Sequence, residues 1–195
     1  THMTFEDIGV MRSIPNITII EPADAVELRQ MIPVMINHKG PVYMRLYRKV
    51  IQDVHSEDYK YQLGKADLLK EGKDVTIICG GIMVAEAMAA AGELSAKGID
   101  AEVINLHTIK PIDANAIVKS AQKTGVIVTA ENHNILGGLR AAVAEVITEH
   151  YPVKIYSVGV KDVKGQVGKL NFLKEEFGLN ALNIIKVVEK ALKEK

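Results

Sequence analysis

The residues able to do chemistry in this sequence cluster at the ends of its apolar runs. Glu131 and His133 stand just after the run 126–130, at the carboxyl end of a predicted strand, where α/β proteins usually place ligands. A carboxylate so near an imidazole can act as an acid–base pair. It can equally be a loop pair that is solvated or packs on a neighbouring subunit, and no serine or cysteine nucleophile motif accompanies it. His107 ends another predicted strand and is drawn to the same edge, but without a third ligand it makes no metal site. Gly80 and Gly81 form a strand-to-helix corner where helix amides can receive an anion. Neither a dinucleotide fingerprint nor a P-loop is spelled there, and a tight turn without a ligand is the simpler reading. Arg45 and Arg48 lie near the carboxyl end of a short run, 42–46. A guanidinium presents a planar fork suited to phosphate, although residue type alone favours a surface ion pair. His2, near the start of a predicted helix, is the remaining candidate.

The elements that must position these groups are most legible over 74–113. The run 75–79 is apolar, β-branched and too short for a buried helix, so it predicts a strand covered on both faces. From 83 to 97 the period is helical, with Val84, Ala87, Met88, Ala91 and Leu94 on one stripe, and Gly98 closes the helix. A second strand spans 101–106, and Lys110-Pro111 with Asp113 predicts a turn that caps the next helix. This β-α-β crossover, right-handed by the usual rule, sets an α/β layer core. Downstream, helices are predicted over 114–123, up to His150, and over 170–177 and 180–192, with strands at 126–130 and 153–158. Five or so strands with helices between them make a three-layer α/β/α domain from about residue 62.

The first 48 residues supply helix, strand, helix, strand. Thr4 and Asp7 have capping-box spacing, Phe5, Ile8 and Met11 form the apolar side of the first helix, and Asp24 with Glu27 caps the second, which Pro33 should kink. Two strands do not make a covered parallel sheet, so this part reads as the tail of a larger domain whose other strands are absent or come from another chain. Residues 50–73 are polar and charged and read as linker and lead-in.

Composition narrows the function classes. The 195 residues carry 24 basic and 24 acidic side chains and are 48% hydrophobic, enough for a real core but with no charge bias toward nucleic acid or an anionic membrane. Apolar stretches are broken well before membrane-spanning length and no signal peptide is evident, so a cytoplasmic protein is expected. Cys79 is the single cysteine and reads as a buried structural thiol.

Read as a whole, the chain resembles the C-terminal part of the transketolase family of thiamine diphosphate enzymes. The resemblance is carried by THMTFEDIGVMRSIPNITIIEPAD (1–24), GPVYMRLYRK (40–49), GGIMVAEAMAAAGELSAKGIDAEVINLHTIKPID (80–113), TAENHNILGGLRAAVAEVI (129–147) and VGVKD (158–162). The wording is most similar to transketolases encoded as two polypeptides, of which this is the C-terminal one. The 1-deoxyxylulose-5-phosphate synthases and the β chains of 2-oxo acid dehydrogenases share the layout with looser matches.

The resemblance implies that residues 1–50 are the end of a pyrimidine-binding α/β domain, 51–61 a linker, and 62–195 the transketolase C-terminal domain, with a mostly parallel five-stranded sheet and one reversed edge. It also implies that Arg48 grips, and His2 reaches, the phosphate-bearing donor sugar. Thiamine diphosphate and magnesium belong to the full enzyme and none is expected on this chain alone, because the family's activating glutamate lies upstream and its metal site in the other half. The implied activity is transfer of a two-carbon ketol unit from a ketose phosphate to an aldose phosphate, with an N-terminal transketolase half as partner, a homo-oligomeric assembly, and silence of the isolated chain. The alternatives left open are deoxyxylulose phosphate synthesis, 2-oxo acid decarboxylation, and a non-catalytic assembly domain.

Overall fold

A computed structural model describes residues 4–48 and 51–195. The first part contains α1 (Asp7–Arg12), β1 (Thr18–Ile20), α2 (Ala25–Ile36) and β2 (Val42–Met44). After an irregular stretch come β3 (Asp67–Lys70), β4 (Val75–Cys79), α3 (Met83–Ala96), β5 (Ala101–Asn105), β6 (Thr108–Lys110) and α4 (Ala114–Thr124). The chain closes with β7 (Val126–Asn134), α5 (Leu139–His150), β8 (Lys154–Val160), α6 (Leu170–Glu176) and α7 (Ala181–Lys193).

The larger sheet has the order β3-β5-β4-β7-β8, and β3 alone runs antiparallel to its neighbour. The β4 run VTIIC is buried at every position because both faces are covered. Ile77 and Cys79 pack with Met83, Ala87 and Leu94 of α3 and Ile184 and Val188 of α7, while Ile78 and Ile127 pack with Ile117 of α4 and Leu139 and Val143 of α5. These are the three layers of an α/β/α domain, each helix pair burying its apolar stripe on one face. Local signals set the helix ends. Asp113 accepts the Ala116 N–H and Asn180 the Asn183 N–H at the N-termini of α4 and α7, and Gly125 ends α4 at φ +67°.

The smaller sheet, β2-β1-β6, departs from the expectation of two strands in the opening part. Its third strand, β6, is drawn from beyond the irregular stretch and pairs antiparallel with β1 in the segment where the sequence predicts a turn. The sheet packs Ile19 and Tyr43 under Ile8 of α1 on one face and Ile20, Val42 and Met44 under Met31 of α2 on the other. One cap assignment also changes. The side chain of Thr4 bonds Glu6, donating to its carboxylate at 2.8 Å and accepting its N–H at 3.1 Å, rather than pairing with Asp7. The capping expected for α2 is present: Asp24 Oδ1 accepts the Glu27 N–H at 2.8 Å and Glu27 Oε2 accepts the Ala23 N–H at 2.7 Å, and the helix runs on through Pro33.

The polar stretch read as a linker is fastened down. Asp24 Oδ2 accepts the N–H groups of Val54 and His55 at 2.9 and 2.8 Å and lies 2.7 Å from His55 Nδ1, while His55 Nε2 lies 3.0 Å from Asp67 Oδ2. Burial by itself would lower the imidazole. The bonds to Asp67 and Asp24 and the charge of Glu27 outweigh it and push the His55 pKa from 6.5 to about 9. A folded-state value above the unfolded one means the stabilisation is complete below about pH 6.5 and is lost as pH rises through about 9. Thermal melts between about pH 6 and about pH 10 should show stability falling over that window. His55→Gln should be less stable near pH 6.5 and should flatten the slope, and an unchanged slope would show that another group sets it.

Candidate functional site at the carboxyl edge of the sheet

The opening segment lies across the carboxyl ends of the large sheet's parallel strands. Asn134 donates its N–H to Phe5 O at 2.7 Å, Glu21 its N–H to His107 O at 2.9 Å, and Arg12 Nη1 bonds Gly137 O at 2.8 Å. Strand order reverses between β4 and β7, and the carboxyl end of such a switch point is where α/β sheets bind ligands. Here that crevice is filled from within. The Glu21 carboxylate sits against Gly80 and Gly81, and a Cβ on Gly81 would lie 2.6 Å from Glu21 Oε1. The glycine corner is therefore a turn that admits an internal carboxylate.

Arg45 binds that carboxylate. Its Nη1 is 2.6 Å from Glu21 Oε1, its Nε is 2.8 Å from Asp7 Oδ2, and Nη2 donates to Thr4 O at 3.2 Å. The three charged side chains are between 5 and 10% exposed. Tyr43 adds a hydroxyl to Asp7 Oδ2 at 2.8 Å, and burial with the Asp7 carboxylate raises that phenol to about 12. As a candidate for holding phosphate, Arg45 is thus corrected: its donors are already committed inside the protein.

Glu131 and His133 are likewise corrected. They belong to β7 itself rather than to a loop, because the strand continues to Asn134, and they are 2% and 0% exposed. Glu131 accepts the Leu139 and Arg140 N–H groups at 2.6 and 3.0 Å, anchoring the start of α5, and burial raises its carboxyl to about 7 against those two bonds. His133 Nε2 accepts the Gly9 N–H at 3.3 Å and Nδ1 faces Asn134 O at 2.6 Å, which places the ring proton on Nδ1. The 3.8 Å between Glu131 and His133 is too long for a hydrogen bond. Both side chains are spent on holding α1 and α5 against the sheet. His107 is buried beside Tyr61, bonded to Thr108, and pushed down to about 4 by burial. Cys79 is fully buried and its thiol is raised by burial, as the sequence predicts.

Arg48 contrasts with Arg45. Just beyond β2 the ladder runs one bond further, with Arg45 donating its N–H to Ile20 O at 2.9 Å. Arg45 and Tyr47 turn inward, Leu46 is 55% exposed, and Arg48 is exposed. Tyr47 packs on the main core and its hydroxyl receives Asn132 Nδ2, a contact with no sequence signal. His2 lies outside the described residues.

Two family models divide along the same parts of the chain. Residues 1–53 match the transketolase pyrimidine binding domain and residues 64–184 the transketolase C-terminal domain. The chain belongs to the transketolase family, whose members depend on thiamine diphosphate. It is 49% identical over 195 residues to the 6-deoxy-6-sulfo-D-fructose transketolase subunit SqwH of Clostridium sp. (strain MSTE9), covering all of this chain and 61% of that protein. It is 37% identical to an apulose-4-phosphate transketolase subunit from Phocaeicola vulgatus, covering 95% of this chain and 60% of that one. A solved structure described as a split gene transketolase, inactive beta4 tetramer, superposes with a TM-score of 0.95 at 44% identity, over 98% of this chain and 63% of that chain. The chain thus spans about three fifths of the curated relatives it matches.

Among the described residues no three histidine, cysteine, aspartate or glutamate side chains gather for a cation, and at the covered edge Asp7 and Glu21 are bound to Arg45. A cleft of about 240 Å³ beside His55, Asp58 and Asp67 is smaller than typical ligand pockets.

The close approach at the glycine corner has a measurable consequence. Gly81→Ala must both hold φ +53° and displace a Glu21 carboxylate pinned by Arg45. Gly98→Ala, at φ +77° with open space around it, bears only the backbone strain. Chemical denaturation should show roughly 1 kcal/mol lost at Gly98 and roughly 3 kcal/mol or more at Gly81; equal losses would show that Glu21 moves freely.

Proposed function

We propose that this chain is the C-terminal portion of a transketolase that transfers a two-carbon ketol unit from a ketose phosphate to an aldose phosphate. The observation that supports the reading is Arg48, exposed beyond the end of β2 in the segment matching the pyrimidine binding domain. An exposed guanidinium fork suits the anionic end of a sugar phosphate. Thiamine diphosphate supplies the carbon–carbon chemistry in the assembled enzyme, and this chain's part is to bind and orient the substrate. His2 is proposed to reach the same donor. The proposed division of labour follows residues 1–50, a connecting stretch 51–61, and an assembly platform over 62–195.

The proposed partner is the N-terminal transketolase half. In β2 the backbone groups of Val42 and Met44 point away from β1, because Thr18 and Ile20 bond the residues on either side of them. In the same opening segment Val10, Ile32, Ile36 and Leu46 are 62, 46, 77 and 55% exposed. A free strand edge and exposed apolar side chains are suited to burial by protein. The relative described as an inactive beta4 tetramer supports two further proposals, that the chain self-associates and that it is silent by itself. Light scattering should report a multimer, and turnover should be undetectable until the N-terminal half is added with thiamine diphosphate and magnesium. Turnover by the 195-residue chain alone would overturn this reading.

In the reconstituted enzyme, Arg48→Ala should raise KM for a phosphorylated donor about tenfold while leaving KM for the unphosphorylated ketose near its original value. Equal changes would show that the guanidinium does not hold the anion. A sulfonated ketose is the second reading, favoured by the 49% identity to the sulfofructose transketolase subunit. Comparing kcat/KM for 6-deoxy-6-sulfofructose and fructose 6-phosphate separates the two.

A further inference from the structure

We infer that Arg45 and Tyr47 are positioning residues for Arg48, setting the enzyme's affinity for anionic donors without touching them. The inference rests on the reading of Arg48 as the anion-holding residue. Three observations carry it. Residues 45–48 leave the ladder after the Arg45–Ile20 hydrogen bond, so past that point backbone pairing no longer dictates where Arg48 lies. The two inward side chains take over. Arg45 fixes its position by a fork on two separate elements, α1 through Asp7 and the end of β1 through Glu21. Tyr47, immediately before Arg48, is held by Asn132 of β7 and by packing on the main core.

Each attachment has the chemistry a rigid support requires. The Arg45 guanidinium uses Nε, Nη1 and Nη2 on three different acceptors, a pattern a lysine ammonium cannot span, since its three donors radiate from one atom. Asn132 lies on the same strand as Glu131 and His133, which are themselves locked to α5 and α1. The path from the sheet toward Arg48 therefore runs through hydrogen-bonded, half-buried groups at Asn132 and Tyr47. A shift of about 1 Å in a group that orients substrate can cost up to two orders of magnitude in rate, so loosening either support should be read out at the anion.

The test uses the enzyme reconstituted with its N-terminal half, and kcat and KM are measured for xylulose 5-phosphate and for xylulose. Arg45→Lys keeps the charge and Tyr47→Phe keeps the ring. Arg45→Lys should raise KM for the phosphorylated donor about tenfold and Tyr47→Phe about threefold. For both variants kcat, and KM for xylulose, should stay within about twofold. A merely structural role would lower the amount of active enzyme and depress both donors alike, and that result overturns the inference. Arg48→Ala is run in parallel. If it discriminates between the donors and the other two variants do not, positioning fails while the anion reading stands. If Arg48→Ala itself shows no discrimination, both fall. Should Arg45→Lys fail to fold, Tyr47→Phe, which loses one hydroxyl, decides the question.

Discussion

The arrangement depends on one buried guanidinium shared by two carboxylates. Arg45 draws Asp7 from α1 and Glu21 from the end of β1 to itself, 38 and 24 residues away in sequence. A charged group moved out of water is costly unless its partners are close and well directed. Once all three are dry, removing any one leaves the others uncompensated, so the cluster tolerates few geometries. That intolerance makes a fastener of it. The opening helix, the first strand and the segment bearing Arg48 all meet at Arg45, and all three rest on the carboxyl edge of the larger sheet.

Filling that edge from within changes where function can sit. In an open α/β sheet the switch-point crevice is the usual ligand site. Here the crevice at Gly80-Gly81 holds Glu21. A second buried seam runs alongside, from Asp24 and His55 to Glu27, Asn105 and Tyr59, with Glu27 Oε1 accepting from Asn105 at 3.0 Å and from Tyr59 at 2.8 Å. Burial raises the Glu27 carboxyl, and each of these side chains is bonded, although Asn105 Oδ1 is buried without a partner. Buried polar networks of this kind specify how two surfaces mate more than they stabilise them. On the proposed reading, the α/β/α domain serves as a platform and recognition moves outward to the segment it supports.

The legible parts of the fold are those whose signal is local. The runs 75–79 and 126–130 are largely apolar because both faces of a central strand are covered, and the glycine and aspartate caps lie within a few residues of the helices they end. What escapes reading depends on distant partners. The strand β6 is three residues of ordinary composition that become a strand because β1 lies beside them. The last residues of β7 are polar, so their composition marks a loop; they are buried because Gly9, Leu139 and Arg140 supply the missing hydrogen bonds. The fate of Arg45 is hidden for the same reason. Arg48 is singled out by the family resemblance alone, because it lies beyond the end of β2, where no strand period applies.

If Arg48 holds the anion as proposed, the two arginines, three positions apart, divide the work between a dry support and a group that acts in water. Arg48 meets solvent, where a single guanidinium attracts an anion only weakly, so its contribution depends on being held where an incoming substrate needs it. A flexible arginine loses rotamer and backbone freedom on binding, and that loss is subtracted from the interaction. Arg45 takes much of the cost at folding instead: its neighbours fix the backbone before any substrate arrives. The two carboxylates on Arg45 leave the buried cluster with a surplus negative charge, and Glu21 contributes to the raised pKa of Glu131. Burial is the larger cause of that rise, acting against the N–H bonds from Arg140 and Leu139. Neutralisation inside and exposure outside are two sides of the same constraint on where charge can be placed in this fold.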